Sequence, residues 1–136
     1  MMIRAPLMNL FKKIVEFFEK KKKFSFVILF LILSIISYVS SIPGSSMGTR
    51  LPWMSVAYHF SIFAIFAFFL LIILYKKKLV KKQIFVVLLI SLLVAVLDEF
   101  HQYFVPLRSA GIEDILIDFS GSIIATILYF IIKRSK

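Results

Sequence analysis

The residues best able to do chemistry lie in two neighbouring stretches of this 136-residue sequence. The first, DEFHQYFVP, begins at Asp98, and the second, RSAGIEDILIDFSGS, begins at Arg108. Together they offer carboxylates, an imidazole, an amide and a guanidinium group. Such groups can hold a metal ion, transfer protons or bind an anionic headgroup. The candidate site residues in these stretches are Asp98, Glu99, His101, Gln102, Arg108, Asp114 and Asp118.

Helical spacing predicts which side chains of the first stretch share a face. Asp98, His101 and Gln102 stand at positions i, i+3 and i+4, so they lie on one face of a helix. Glu99 points about 100° away from that face, because an α-helix has about 3.6 residues per turn. We therefore expect Glu99 to meet a different neighbour or the lipid headgroups.

The second stretch continues the polar pattern on another helix. Asp114 and Asp118 form an i, i+4 pair, and Gly121 and Ala125 extend the same stripe with small residues that let a neighbouring helix approach closely. The linker VPLRSAG contains proline and glycine, so the two helices can form an antiparallel hairpin. Asp98 and Asp118 would then lie at similar depth, with Arg108 in the connection.

The composition indicates that these helices lie in a membrane. Hydrophobic residues make up 61% of the chain, which includes 16 phenylalanines, and the mean hydropathy is +0.98. A typical soluble domain is only about 45–50% apolar. The chain has no cysteine, which excludes disulfides and thiolate metal sites.

Four apolar runs are long enough to cross a bilayer, which needs about 20 residues. The third run is uncharged only over residues 84–97, so it can cross only by continuing through DEFHQYF. We interpret the first span as an uncleaved anchor, because its apolar run exceeds the about 7–15 residues of a signal peptide. The predicted fold is an all-α, four-helix membrane domain over residues 24–136, with spans at 24–42, 56–75, 84–104 and 112–132.

The basic residues predict the orientation of the spans. The net charge is +10, and the lysines cluster at 20–23, 76–78 and 81–82 beside apolar runs. Cytoplasmic loops carry an excess of lysine and arginine. The loop between the first and second spans and the loop between the third and fourth spans hold only Arg50 and Arg108 as basic residues. We therefore predict a multi-pass protein of the cell membrane with both termini cytoplasmic and the acidic stretch at the outer face. This placement of the charge argues against nucleic acid as a partner.

The segment before the first span, residues 1–23, has its own pattern. Its apolar residues recur at helical spacing while lysines and glutamates point elsewhere, which is typical of an amphipathic helix lying in the headgroup region. The apolar residues are Leu7, Leu10, Phe11, Ile14, Phe17 and Phe18.

The motif DEFHQYFVPLRS, followed by EDILIDFSG, resembles the VanZ-like membrane proteins, a family named for a teicoplanin-resistance protein. Its hallmark is Asp-Glu-x-His-Gln-x-Phe-x-Pro-Gly-Arg, then an Asp, an Asn or Asp four residues later, and a Gly. YVSSIP at 38–43 resembles the family's Ser-Ser-x-Pro ending of its first helix, and His59 resembles the histidine that opens its second. The positions that match the hallmark are Asp98, Glu99, His101, Gln102, Phe104, Pro106, Arg108, Asp114, Asp118 and Gly121.

The sequence departs from the family pattern at a few positions. Leu107 stands where glycine is usual, which makes the linker stiffer. Ser55 and Val56 replace a frequent Asp-Lys pair, Phe63 replaces a common tyrosine, and Ala125 replaces a second glycine.

The resemblance implies a role in the cell envelope or in resistance to glycopeptide antibiotics, without an agreed chemistry. The first reading is an outward pocket in which Arg108, and His101 when protonated, bind the phosphate or carboxylate of a membrane lipid or lipid-linked envelope precursor. The surrounding carboxylates would repel such an anion unless a divalent cation bridges them or some are protonated. His59 could join this pocket.

Other readings stay open at the level of sequence. A metal-dependent enzyme would act on a lipid-linked phosphate. Its ligands would come from Asp98, His101, Asp114 and Asp118, and its catalytic groups from these residues and Glu99. A structural network would lock the hairpin through the same polar groups, since buried polar groups need partners. Ion translocation and homo-oligomer formation are further possibilities.

Overall fold

The chain folds into a bundle of long helices, seen in a computed structural model that describes residues 4–47, 52–76 and 81–134. Four of the helices in these ranges are long and apolar enough to cross a membrane. This confirms the predicted all-α fold with four spanning helices. The elements are α1 (Arg4–Lys20), α2 (Lys22–Ser40), a short 3-10 turn (Gly44–Met47), α3 (Pro52–Leu74), α4 (Lys81–Tyr103) and α5 (Ile112–Arg134).

Three of the four spanning helices begin earlier than the uncharged runs that predicted them, whereas α5 begins at Ile112 as predicted. α2 starts at Lys22, whose ammonium donates to the carbonyls of Ile73 and Tyr75 near the end of α3. α4 starts at Lys81, whose side chain is exposed. α3 starts at Pro52, and proline suits the first turn of a helix, where no backbone N–H is needed. α4 continues through Asp98 to Tyr103, as the length argument required.

Helices α3 and α5 approach each other closely at Gly121. A Cβ atom built on Gly121 would lie 2.2 Å from the carbonyl oxygen of Phe60, so only glycine fits there without moving α3. Ala67 on α3 and Ala125 on α5 are also buried. The small-residue stripe predicted on the fourth span therefore packs against α3.

The connection between α4 and α5 contains an unusual backbone conformation. Leu107 has φ 59°, in the left-handed region that residues other than glycine rarely adopt. Just before it, the carbonyl of Pro106 accepts a hydrogen bond of 3.1 Å from the N–H of Gly44. The connection between α4 and α5 is thus hydrogen-bonded to the start of the 3-10 turn that follows α2.

Helix α1 docks at the opposite end of α5. Val15 is buried, and the ring of Phe18 packs edge-on against Phe69 with centroids 5.1 Å apart. Glu19 accepts hydrogen bonds from the Tyr129 hydroxyl and from Lys133 Nζ, the latter at 2.9 Å. The remaining large apolar side chains of α1 that are exposed are Leu10, Phe11, Ile14 and Phe17.

This arrangement is compatible with a helix in the headgroup region. That position and the cytoplasmic location of the termini stay predictions. Arg50, on which the charge argument partly rests, lies outside the described residues.

Candidate ligand-binding site

Four ionisable side chains from three helices meet near the end of the bundle where α4 ends and α5 begins. One nitrogen of His59 and one oxygen from each of Asp98, Glu99 and Asp118 all lie within 4.8 Å of one another. All four residues are buried, and Asp118 is completely inaccessible. We call these four residues the acidic cluster.

The contact between α3 and α5 within the cluster is a histidine–carboxylate pair. His59 Nδ1 donates to Asp118 Oδ1 over 3.0 Å. Asp118 stands one turn before Gly121, where the absence of a side chain lets α3 come close to α5. The glycine contact therefore sets the distance at which His59 and Asp118 meet.

Asp98 is held by two neutral donors. The hydroxyl of Ser40, at the end of α2, donates to Oδ1, and the amide of Gln102 donates to Oδ2 over 2.9 Å. The Gln102 bond is the i, i+4 contact that the spacing on α4 predicted. Ser40 was not among the residues singled out as site candidates, although it lies in the YVSSIP segment.

Glu99 points to a different neighbour, as its angular offset from Asp98 predicted. Its Oε2 accepts a hydrogen bond of 2.8 Å from the backbone N–H of Gly111, in the linker before α5. Glu99 thus ties the end of α4 to the start of α5.

Two carboxylate oxygens of the cluster lack a donor. Glu99 Oε1 and Asp118 Oδ2 are buried and accept no hydrogen bond from the part of the chain that the structure describes. Buried polar atoms are normally paired, because leaving one unpaired costs about 1–3 kcal/mol. These two oxygens are therefore available to a donor or a cation other than the described residues.

The other candidate residues lie around the cluster. His101 is exposed, with Nε2 3.0 Å from the hydroxyl of Ser41. Arg108 is half-buried, and its Nη2 donates to the carbonyl of Val39 over 3.4 Å. Asp114 is half-buried in the first turn of α5, one turn before Asp118.

A groove between α2 and α4 leads to Asp98. Its volume is about 300 Å³, at the lower end of the range for small-molecule pockets. The wall is apolar along most of its length and polar at the end where Asp98 lies. The lining residues are Leu33, Ile36 and Ser37 from α2, and Val94, Leu97, Asp98 and His101 from α4. We call this feature the α2–α4 groove.

Comparison with known proteins gives one match. The model of the VanZ/LLP1 family matches residues 2–133, nearly the whole chain. No curated protein and no solved structure matches the chain significantly.

Proposed function

The chain belongs to the VanZ/LLP1 family, and from this premise we propose that it binds an anionic lipid or lipid-linked envelope precursor in the α2–α4 groove. Through this binding the protein modulates the cell envelope and its response to glycopeptide antibiotics. The proposed site of action is the outer leaflet of the cell membrane.

The observation that carries this proposal is the amphipathic shape of the groove. Leu33, Ile36, Val94 and Leu97 form an apolar wall suited to a hydrocarbon chain, while Asp98 and His101 mark a polar end suited to a headgroup. Leu97 is 63% exposed, so the groove reaches the surface of the bundle that faces lipid. A lipid could therefore enter from the bilayer without passing through water.

The headgroup end of the groove also has basic groups nearby. Arg108 contacts the carbonyl of Val39, directly before Ser40, which binds Asp98. His101 lies at the rim, next to Ser41. A guanidinium group binds phosphate or carboxylate in a bidentate manner, so an anionic headgroup is the ligand class that these groups favour.

The test fills the groove without changing its charges. Leu97→Trp places a large ring in the groove, and Leu93→Trp is the matched control, because Leu93 is exposed on the same helix but does not line the groove. Each variant is purified in mild detergent, and the retained lipid is identified by native mass spectrometry. Teicoplanin susceptibility is measured in cells that contain equal amounts of each protein.

We expect the wild type and Leu93→Trp to retain an anionic lipid and to change susceptibility relative to cells without the protein. Leu97→Trp should lose both properties while remaining in the membrane. Equal lipid retention by the two variants would contradict the groove as the binding site. A wild type that leaves susceptibility unchanged would remove the antibiotic role and leave lipid binding to stand on the mass spectra.

A further inference from the structure

The acidic cluster has the composition of a cation site. It brings three carboxylates and one imidazole together within 4.8 Å, from helices α3, α4 and α5. Lys133, the cation of the ion pair at the far end of α5, bonds to Glu19 and not to this cluster. Three carboxylates in one buried place repel one another unless some are protonated or positive charge compensates them.

The unpaired oxygens are an independent sign of a missing ligand. Glu99 Oε1 and Asp118 Oδ2 accept no hydrogen bond within residues 4–47, 52–76 and 81–134. Both residues are more than nine-tenths buried, and both belong to the cluster. A network built only for stability would be expected to saturate these acceptors, since buried polar networks gain little when they are half-satisfied.

From these observations we propose that His59, Asp98, Glu99 and Asp118 bind one divalent cation. The dimensions fit, because opposite ligands of an octahedral ion are two bond lengths apart, about 4.2 Å for magnesium and about 4.6–5.2 Å for calcium. The four ligand atoms lie within a similar span, so small side-chain rotations suffice to close them around an ion. Solvent or a ligand would complete the coordination.

The donor set also narrows the type of cation. Carboxylate oxygens suit magnesium, calcium and manganese, whereas imidazole suits transition metals. Mn²⁺ accepts both kinds of donor and is the best-matched probe. The absence of cysteine from the chain argues against a site of the soft, thiolate type.

The cation site and the groove share Asp98, which is a member of the cluster and also lines the groove. Asp98 is 7% exposed, so it marks where an ion could enter and where a bound headgroup could reach it. A cation there would bridge the carboxylates to an anionic headgroup and remove their repulsion. This bridging role rests on the proposed function, whereas cation binding itself does not.

The experiment measures Mn²⁺ binding to the full chain in detergent, without lipid and after removal of any polyhistidine tag. Free Mn²⁺ is counted by electron paramagnetic resonance, and nitrogen coupling of the bound ion is read by electron spin echo modulation. We expect one tightly bound Mn²⁺ per chain, with a nitrogen coupling from one imidazole.

Variants assign the ligands. His59→Gln, Glu99→Gln and Asp118→Asn should each weaken binding roughly tenfold or more, since even outer-shell changes cost about 10–100-fold, and His59→Gln should abolish the nitrogen coupling. His101→Gln is the matched control outside the cluster and should leave both signals intact. Asp114→Asn removes a negative charge one turn before Asp118 but no proposed ligand, so it should weaken binding less than the cluster variants and keep the nitrogen coupling. The chain has only two histidines, so these variants identify the coordinating imidazole.

Two results would overturn the proposal: a wild type without stoichiometric Mn²⁺, or binding that all three cluster variants leave unchanged. If Asp118→Asn does not elute as a folded species, Glu99→Gln and His59→Gln decide the question. Mn²⁺ binding with no retained lipid would keep the cation site and refute the lipid function. Retained lipid with no bound Mn²⁺ would keep the lipid function and refute the cation site.

Discussion

The close approach at Gly121 makes Gly121→Ala the most informative single substitution for the fold. The added Cβ would lie 2.2 Å from the carbonyl oxygen of Phe60 and 3.3 Å from the backbone nitrogen of Ala64. A carbon normally contacts a carbonyl oxygen at about 3.3–3.6 Å, so α3 must move away by about 1 Å. Both obstacles are backbone atoms, which cannot rotate aside as a side chain would.

The expected cost follows from two opposing terms. Overpacking of this kind costs about 1–3 kcal/mol, and the upper end applies because a whole helix must shift. Replacing a helical glycine by alanine returns about 0.5–1 kcal/mol through helix propensity and chain entropy. We therefore expect Gly121→Ala to lose about 2 kcal/mol of unfolding free energy, which is roughly a 30-fold change in the folded-to-unfolded ratio.

The assay is reversible unfolding in mixed micelles with increasing dodecyl sulfate, followed by circular dichroism. Gly111→Ala is the control, because a Cβ there meets only the backbone nitrogen of Glu113 at 3.9 Å. Gly111 directly precedes α5, and alanine is a weaker N-cap than glycine. Gly111→Ala should therefore lose less than about 1 kcal/mol of unfolding free energy. A Gly121→Ala variant as stable as this control would refute the close packing of α3 against α5.

The same displacement should reach the acidic cluster. Phe60 follows His59 directly in α3, and Gly121 lies one turn after Asp118 in α5. Moving the helices apart therefore lengthens the His59–Asp118 contact, which is 3.0 Å in the native packing. Gly121→Ala should weaken Mn²⁺ binding although it removes no ligand.

Three further predictions concern the linker, helix α1 and the topology. Leu107→Gly should stabilise the fold by about 1 kcal/mol in the same assay, because a left-handed residue other than glycine costs about 1–2 kcal/mol. Part of this gain is offset by the greater freedom of glycine in the unfolded chain. Leu107→Ala keeps the backbone strain, so equal stability of the two variants would contradict the prediction. Glu19→Gln should speed amide hydrogen exchange in α1, because it weakens the bond between residue 19 and Lys133 in the last turn of α5. Glu16→Gln should leave the exchange rate unchanged. Equal exchange rates in the two variants would contradict the docking of α1 on α5. Because the chain has no cysteine, a membrane-impermeant thiol reagent should label Ser109→Cys on intact cells and Ser135→Cys only after lysis; the opposite pattern would reverse the predicted orientation.

The spanning helices could be predicted because hydrocarbon thickness imposes a length. The uncharged run at 84–97 was too short to cross, so the helix had to include Asp98 and Glu99, and α4 does extend to Tyr103. The exact starts were less predictable. Lys22 and Lys81 are helical in spite of their charge, because Lys22 donates to the carbonyls of Ile73 and Tyr75 and the side chain of Lys81 is exposed.

Within one helix, spacing predicts which residues share a face. Asp98 bonds to Gln102 at i+4, and Glu99 points to another partner, the N–H of Gly111. His101 lies about 60° from Asp98 around the helix and is exposed, whereas Gln102, about 40° away on the other side, is buried. A shared face at i and i+3 therefore does not give equal burial.

Between helices, residue spacing does not predict which faces meet. The contact of His59 with Asp118 depends on how α3 rotates against α5, and the contact of Ser40 with Asp98 depends on where α2 ends. For this reason the cation ligands suggested by spacing include His101 and Asp114, whereas the structure brings His59 and Glu99 beside Asp98 and Asp118. The spacing-based metal set stays a prediction that the same variants test.

The energetics of the acidic cluster favour a ligand over a purely structural role. An ionisable group at membrane depth is costly, and such groups usually pair with one another or with a bound species. Here His59 brings one imidazole to three carboxylates, while Glu99 and Asp118 each keep an oxygen without a donor from the described residues. Serines or glutamines at these positions could close the same helix contacts without excess negative charge. The excess negative charge is useful if it binds a cation, and Asp98 places that cation at the end of a groove whose apolar wall and polar end suit a lipid.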